Sequence, residues 1–214
     1  MRGVILTAAE MNAMDRMSWV TVSEQDLYDG TMEQDVIDGV SDIIKRLDEK
    51  PKCVLLFLSC VHLFAGCDFK MIIDELSGMF PQVHFIDCYM TPTMRKSISP
   101  DSLMRKQLYE PLEKCEKKPK TAAIIGCDRA TDETSELVSI INSAGFELLD
   151  ITKCKTYEEY LAMAESSLNI TYIPAAKPAG EELERRLGTK HLYMPLCYGY
   201  DEIESLYRRL CSEL

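Results

Sequence analysis

Cys53-Val-Leu-Leu-Phe-Leu58-Ser59-Cys60 is the stretch on which the fold of this chain turns. The apolar run follows Pro51 and Lys52, is too short for an independent helix, and shows no alternation of polar and apolar residues. That combination predicts a strand covered on both faces, the environment of a parallel sheet. Upstream, Val36, Ile37, Val40, Ile43, Ile44 and Leu47 recur at helical spacing over Glu33 to Leu47, interrupted by Gly39. Downstream, Phe69, Ile72, Ile73, Leu76 and Met79 form a second helical stripe, with Gly78 and Pro81 near its end. A further strand is expected at 83–87 and a helix from Ser102 to Cys115.

After a Lys-rich stretch the pattern restarts. Apolar runs begin near Ala122, Phe146, Leu168 and Leu192, each followed by a helical segment. Leu137, Ile140, Ile141 and Ala144 form one stripe, Thr156 with Glu159 reads as a capping box, and Glu181 to Leu187 ends at Gly188. Ile203, Leu206, Tyr207 and Leu210 form the last stripe. The fold class read from this is α/β: two Rossmann-like three-layer units with parallel sheets, residues 1–117 and 118–214. Strands are expected at about 53–58 and 83–87 in the first, and at about 121–126, 146–150, 169–173 and 191–194 in the second.

The 214 residues are 46% hydrophobic and 28% charged, which fits a globular protein with one large or two small cores. No run approaches the roughly 20 apolar residues of a membrane span, and no signal-peptide pattern opens the chain. Nine cysteines, an odd number, fit reduced thiols rather than a disulfide framework, so a cytoplasmic location is expected. The net charge of −11 repels phosphate backbones and argues against nucleic acid as a partner; Lys114, Lys117, Lys118 and Lys120 read as a solvated linker.

Ligands of open parallel sheets bind beyond the carboxyl ends of the strands, so the residues after each run carry the functional information. These are Ser59-Cys60, Asp87-Cys88, Gly126-Cys127-Asp128, Pro174-Ala175 and Pro195. Three of the five turns hold a cysteine, although small buried thiols are common packing residues. Neither Gly126-Cys127-Asp128 nor Gly66-Cys67-Asp68 extends to a phosphate-binding glycine pattern, so there is no nucleotide motif. There is no Cys-x-x-Cys, and three isolated histidines give no zinc spacing. His62, two residues past Cys60, reads either as a proton donor beside a metal centre or as an ordinary loop histidine.

The segment Leu58-Ser59-Cys60-Val-His-Leu-Phe-Ala-Gly66-Cys67-Asp68 resembles a nitrogenase component 1 subunit, where a strand ends in a cysteine and Gly-Asp-Asp opens the next helix. Cys60 and Gly66 match in type and spacing. Glu24-Gln-Asp26 followed by Gly30 is similar to the family's Glu-x-Asp-x-x-x-Gly stretch. Ser135-Glu136-Leu137 leading to Gly145, Ala164 with Leu168-Asn169-Ile170, and Leu183-Glu184-Arg185-Arg186-Leu187-Gly188 follow in the family's order. The resemblance runs over residues 18 to 212.

This resemblance implies an iron–sulfur cluster at a subunit interface, with Cys60 as a metal ligand and Gly66 and Asp68 at the cofactor-binding turn. It further implies a homologous or identical component 1-like partner subunit, electron delivery by an ATP-driven iron protein, and reduction of a demanding substrate at a second site. The departures narrow the reading. No cysteine precedes Cys53, where family subunits carry two further cluster ligands. Cys67 replaces the first acidic residue after Gly66, and Ile173 stands where nitrogenase holds its active-site metal cofactor by a cysteine. The expectation is a nitrogenase-like redox component, truncated or reduced, that does not itself reduce dinitrogen. The alternative is a non-catalytic scaffold or degenerate paralogue that binds a partner subunit without metal. Cys67, Cys88 and Cys127 are replacement ligands only if their loops converge, since a cluster usually takes four thiolates.

Overall fold

The computed structural model describes residues 2–88 and 98–214, and the chain divides into two compact units, Met1–Met94 and Arg95–Leu214. In the first unit, α1 (Arg2–Glu10) and α2 (Glu24–Asp29) precede α3 (Met32–Arg46), β1 (Cys53–Phe57), α4 (Cys60–Phe64), α5 (Phe69–Met79) and β2 (His84–Cys88). The family-like Glu24-Gln-Asp26 stretch is a capping box: Ser23 and Asp26 cap each other's backbone, and Gly30 closes α2 in the left-handed conformation. β1 and β2 pair in parallel, Cys53 against His84 through Phe57 against Cys88.

One core cluster holds this unit. Val36, Ile37, Val40 and Ile44 of α3 meet Phe69, Ile72 and Leu76 of α5 over Leu56, with Val54 and Phe85 beside them. Side chains on a strand alternate between faces, so Leu55 points the other way and is 43% exposed.

The second unit contains α6 (Pro100–Gln107), β3 (Thr121–Ile124), α7 (Glu136–Ser143), β4 (Glu147–Asp150), α8 (Tyr157–Leu161), β5 (Leu168–Thr171), α9 (Lys177–Leu187), β6 (Lys190–Tyr193) and α10 (Tyr200–Glu213). Its sheet is parallel throughout in the order β4-β3-β5-β6. The alternation along β3 divides two layers: Ala122 and Ile124 join Ile141 of α7 and Leu210 of α10, while Ala123 and Ile125 join Ala179, Leu183 and Leu187 of α9. The helix that leads leftward to β4 and the helix that leads rightward to β6 thus lie on opposite faces, as a constant crossover hand requires.

The helix expected over Ser102 to Cys115 is shorter and begins earlier. Ser99 caps it by accepting from the Ser102 amide, Pro100 occupies the first turn, and the α-helix ends at Gln107. Pro111 lacks an N–H and would clash with the preceding turn, so the chain leaves the helix before it. Tyr109 and Leu112 are instead buried in the core of the second unit. The contacts therefore divide the chain earlier than the Lys-rich stretch near 118. No helix among the described residues is long and apolar enough to cross a membrane.

Candidate functional site

The cysteine turn is built by local chain chemistry. β1 runs out at Phe57, and Ser59 enters the single-turn helix α4 with extended backbone. Its hydroxyl lies 2.9 Å from Nδ1 of His62 and caps no amide of α4. His62 is buried, its ring 6.3 Å from that of Phe69, and burial holds its pKa below the usual value. Cys60, by contrast, is exposed.

The chain then turns through a helix-terminating motif with both of its hydrogen bonds present. The Cys67 amide donates to the His62 carbonyl at 2.9 Å and the Gly66 amide to the Leu63 carbonyl at 3.1 Å. Gly66 has φ +74, a conformation that charges a side chain a steric cost, which explains the glycine. Asp68 caps α5 by accepting from the Met71 amide at 3.0 Å, and its own amide donates to Glu33 Oε1 at 3.1 Å. Gly66 and Asp68 thus shape the turn.

The thiols differ in character. Burial pushes Cys53 up to about 11, and burial together with the Glu33 carboxylate pushes Cys67 up to about 11 as well. Cys88 is buried. Among the described residues no group of three His, Cys, Asp or Glu side chains is disposed to hold a metal ion. Cys60, Cys67 and Cys88 therefore do not form one ligand set. A complete four-thiolate cluster does not fit this chain's described residues alone.

A second polar cluster, at the carboxyl edge of the second sheet, was not foreseen from sequence beyond Gly126-Cys127-Asp128. The guanidinium of Arg105, buried, reaches Asp128 with two bonds of 2.7 and 2.8 Å, Asp101 at 3.1 Å and the Gly126 carbonyl. The Gly126 amide donates to the Tyr109 hydroxyl at 2.7 Å. The Tyr172 hydroxyl lies 3.1 Å from the Thr131 hydroxyl, and Asp150 accepts from the Thr131 amide. Burial raises the pKa of Cys127. Arg105 and Tyr109 come from α6 and the turn after it, Asp150 and Tyr172 from the ends of β4 and β5, and no local motif announces their meeting. With its amide and carbonyl both engaged, Gly126 is a packing residue.

The sequence profile of the nitrogenase component 1 type oxidoreductases matches residues 4–214. The chain belongs to that family. Two solved structures, described as nitrogenase Cp1 at pH 5 and at pH 6.5, superpose with a TM-score of 0.63 each at 16% identity. Each superposition takes in 89% of this chain, but 39% and 37% of the respective nitrogenase chains, so the chain spans less than half of their length. At that identity the likeness is one of fold. No curated protein sequence matches. The nitrogenase component 1 fold accounts for the parallel sheets.

Proposed function

We propose that this chain is a nitrogenase-like redox component in which Cys60 supplies one thiolate to an iron–sulfur cluster completed by another chain. The observation that carries this reading is the exposure of Cys60 at the carboxyl end of β1, on a turn held at both ends by hydrogen bonds. An exposed thiol is free to ligate, whereas the buried and raised thiols of Cys53 and Cys67 resist the deprotonation that ligation needs. Family membership supports a homologous or identical component 1-like subunit as the partner and an ATP-driven iron protein as the electron donor. Nine free cysteines suit the reducing cytoplasm. With Ile173 at the position of nitrogenase's cofactor cysteine, the substrate is taken to be something other than dinitrogen.

Anaerobic reconstitution of the full chain with iron and sulfide tests the role of Cys60. Charge-transfer absorption is expected in the wild type and in Cys154→Ala, and its loss in Cys60→Ala. Equal iron in the wild type and in a folded Cys60→Ala protein would remove Cys60 as a ligand. The second reading, a scaffold that binds a partner subunit without metal, draws on the lack of any three-ligand group among the described residues. It expects a colourless protein from anaerobic purification, with all nine thiols titratable after unfolding.

A further inference from the structure

Gly39 interrupts the apolar stripe of α3 between Val36 and Ile43, inside a helix where glycine is a poorer choice than alanine. The residue that explains it lies outside the helix. A Cβ built at Gly39 would have as its three nearest neighbours the Val20 Cγ1 at 2.6 Å, Cγ2 at 2.8 Å and Cβ at 3.3 Å. The isopropyl group of Val20 thus occupies the space that any side chain at position 39 would need. Val20 belongs to the segment between Arg16 and α2, and the residues at its two ends, Met17 and Ser23, have extended backbone. The alternation is that of an extended chain laid on a surface: Val20 and Val22 pack against the core cluster of the first unit, while Trp19 and Thr21 are exposed. Among the described residues this segment joins neither sheet, so side chains hold it and not a ladder of backbone bonds.

We propose that residues 17–22 are a strap, seated on α3 by the fit of Val20 into the notch at Gly39, and that this fit decides whether the strap lies on the first unit or opens from it. The seat is one of shape. Val20 is β-branched and stiff about its first side-chain torsion, so it cannot swing both γ carbons clear of a methyl group at position 39. The helix backbone on the other side cannot yield either, and the strap must lift. Lifting it leaves the core of the unit in place, since Val36, Ile37, Val40 and Ile44 cluster with Phe69, Ile72 and Leu76 on their own. The strap is therefore a hinged piece whose opening is separate from unfolding of the unit. It stands or falls apart from the role of Cys60.

Trp19, the single tryptophan of the chain, reports on the strap, because it adjoins Val20 and is 49% exposed. Acrylamide quenching of the full-length protein is compared in the wild type, Gly39→Ala, Val20→Ala and the double variant, and hydrogen exchange follows the amides of β1 and α5. Gly39→Ala is expected to raise the quenching constant about twofold, the change from half to full exposure of the indole, with β1 and α5 still protected. In the Val20→Ala background the γ carbons are gone, and adding Gly39→Ala should change quenching little. Unmoved quenching in Gly39→Ala overturns the strap, as does an equal rise with and without the Val20 γ carbons. Loss of protection throughout β1 and α5 in Gly39→Ala also overturns it, because Gly39 would then serve the core of the unit.

Discussion

Gly126 occupies the tightest position at the carboxyl edge of the second sheet. Its φ is +76, and a Cβ built there would fall 2.5 Å from the Ala176 Cβ. Two costs therefore add on substitution, the strained backbone and the overlap with a neighbour whose own backbone lies 3.3 Å away. Gly126→Ala should destabilise the protein by about 2–4 kcal/mol, measured as a lowered denaturant midpoint. A loss below about 0.5 kcal/mol, the level of an indifferent surface change, would contradict the packing argument. Cys60 is the opposite kind of residue. It is exposed on a single-turn helix, and so short a helix contributes little dipole, which leaves its value as a ligand to accessibility and position.

Among the elements, α6 depends most on contacts made outside itself. Its Arg105 guanidinium is 7% exposed and serves Asp101 on the same helix, and Asp128 and the Gly126 carbonyl on the loop after β3. Arg186 of α9 adds bonds to the carbonyls of Tyr109 and Leu112 just beyond α6, and the Tyr160 hydroxyl bonds the Leu108 carbonyl. Removing Arg105 leaves the Gly126 carbonyl short of a donor, while Asp128, 61% exposed, is rescued by water. Arg105→Ala should therefore cost about 2–3 kcal/mol, under the full value of a broken buried pair. Trypsin in limiting amount should then cut first between residues 105 and 120; an unchanged cleavage map would show that α6 is held by its apolar side chains alone. The sequence carries a start signal in Ser99-Pro100 that an expectation beginning at Ser102 passes over, and the exit at Pro111 competes with an apolar pattern that continues past it.

At the scale of the whole chain, the first unit leaves apolar surface uncovered. Leu55 on β1 is 43% exposed and Phe64 on α4 is 75% exposed, with Val61 and Met71 also exposed. The outer edge of a two-stranded parallel sheet is itself a template for pairing, and parallel sheets are ordinarily covered on both faces. Association with another chain is the expected outcome. Sedimentation at low micromolar concentration should show a dimer or larger species, and Phe64→Ser should shift it toward monomer. A wild-type monomer showing no concentration dependence would mean that this surface needs a different partner or none.

The sequence by itself determined the class of fold, because hydrophobic periodicity is a local property. Apolar runs of strand length and stripes at helical spacing placed the six strands of the described residues within one or two residues of their positions, and the order of short motifs pointed to the family. Cys60 stands out in it as a candidate, since a cysteine after the most apolar strand is visible without contacts; its role is the proposal tested above. Only the tertiary structure decided which residues meet. Glu33 and Asp68 are 35 positions apart, Arg105 and Asp128 are 23 apart, and each pair is brought together by the packing of elements rather than by spacing along the chain. It also decided the character of the thiols. Cys53, Cys60 and Cys67 fall at even intervals in the sequence, yet burial and a neighbouring carboxylate raise two of them while the third faces solvent. Ionisation follows solvent and neighbouring charge, and those are set only when the chain is folded.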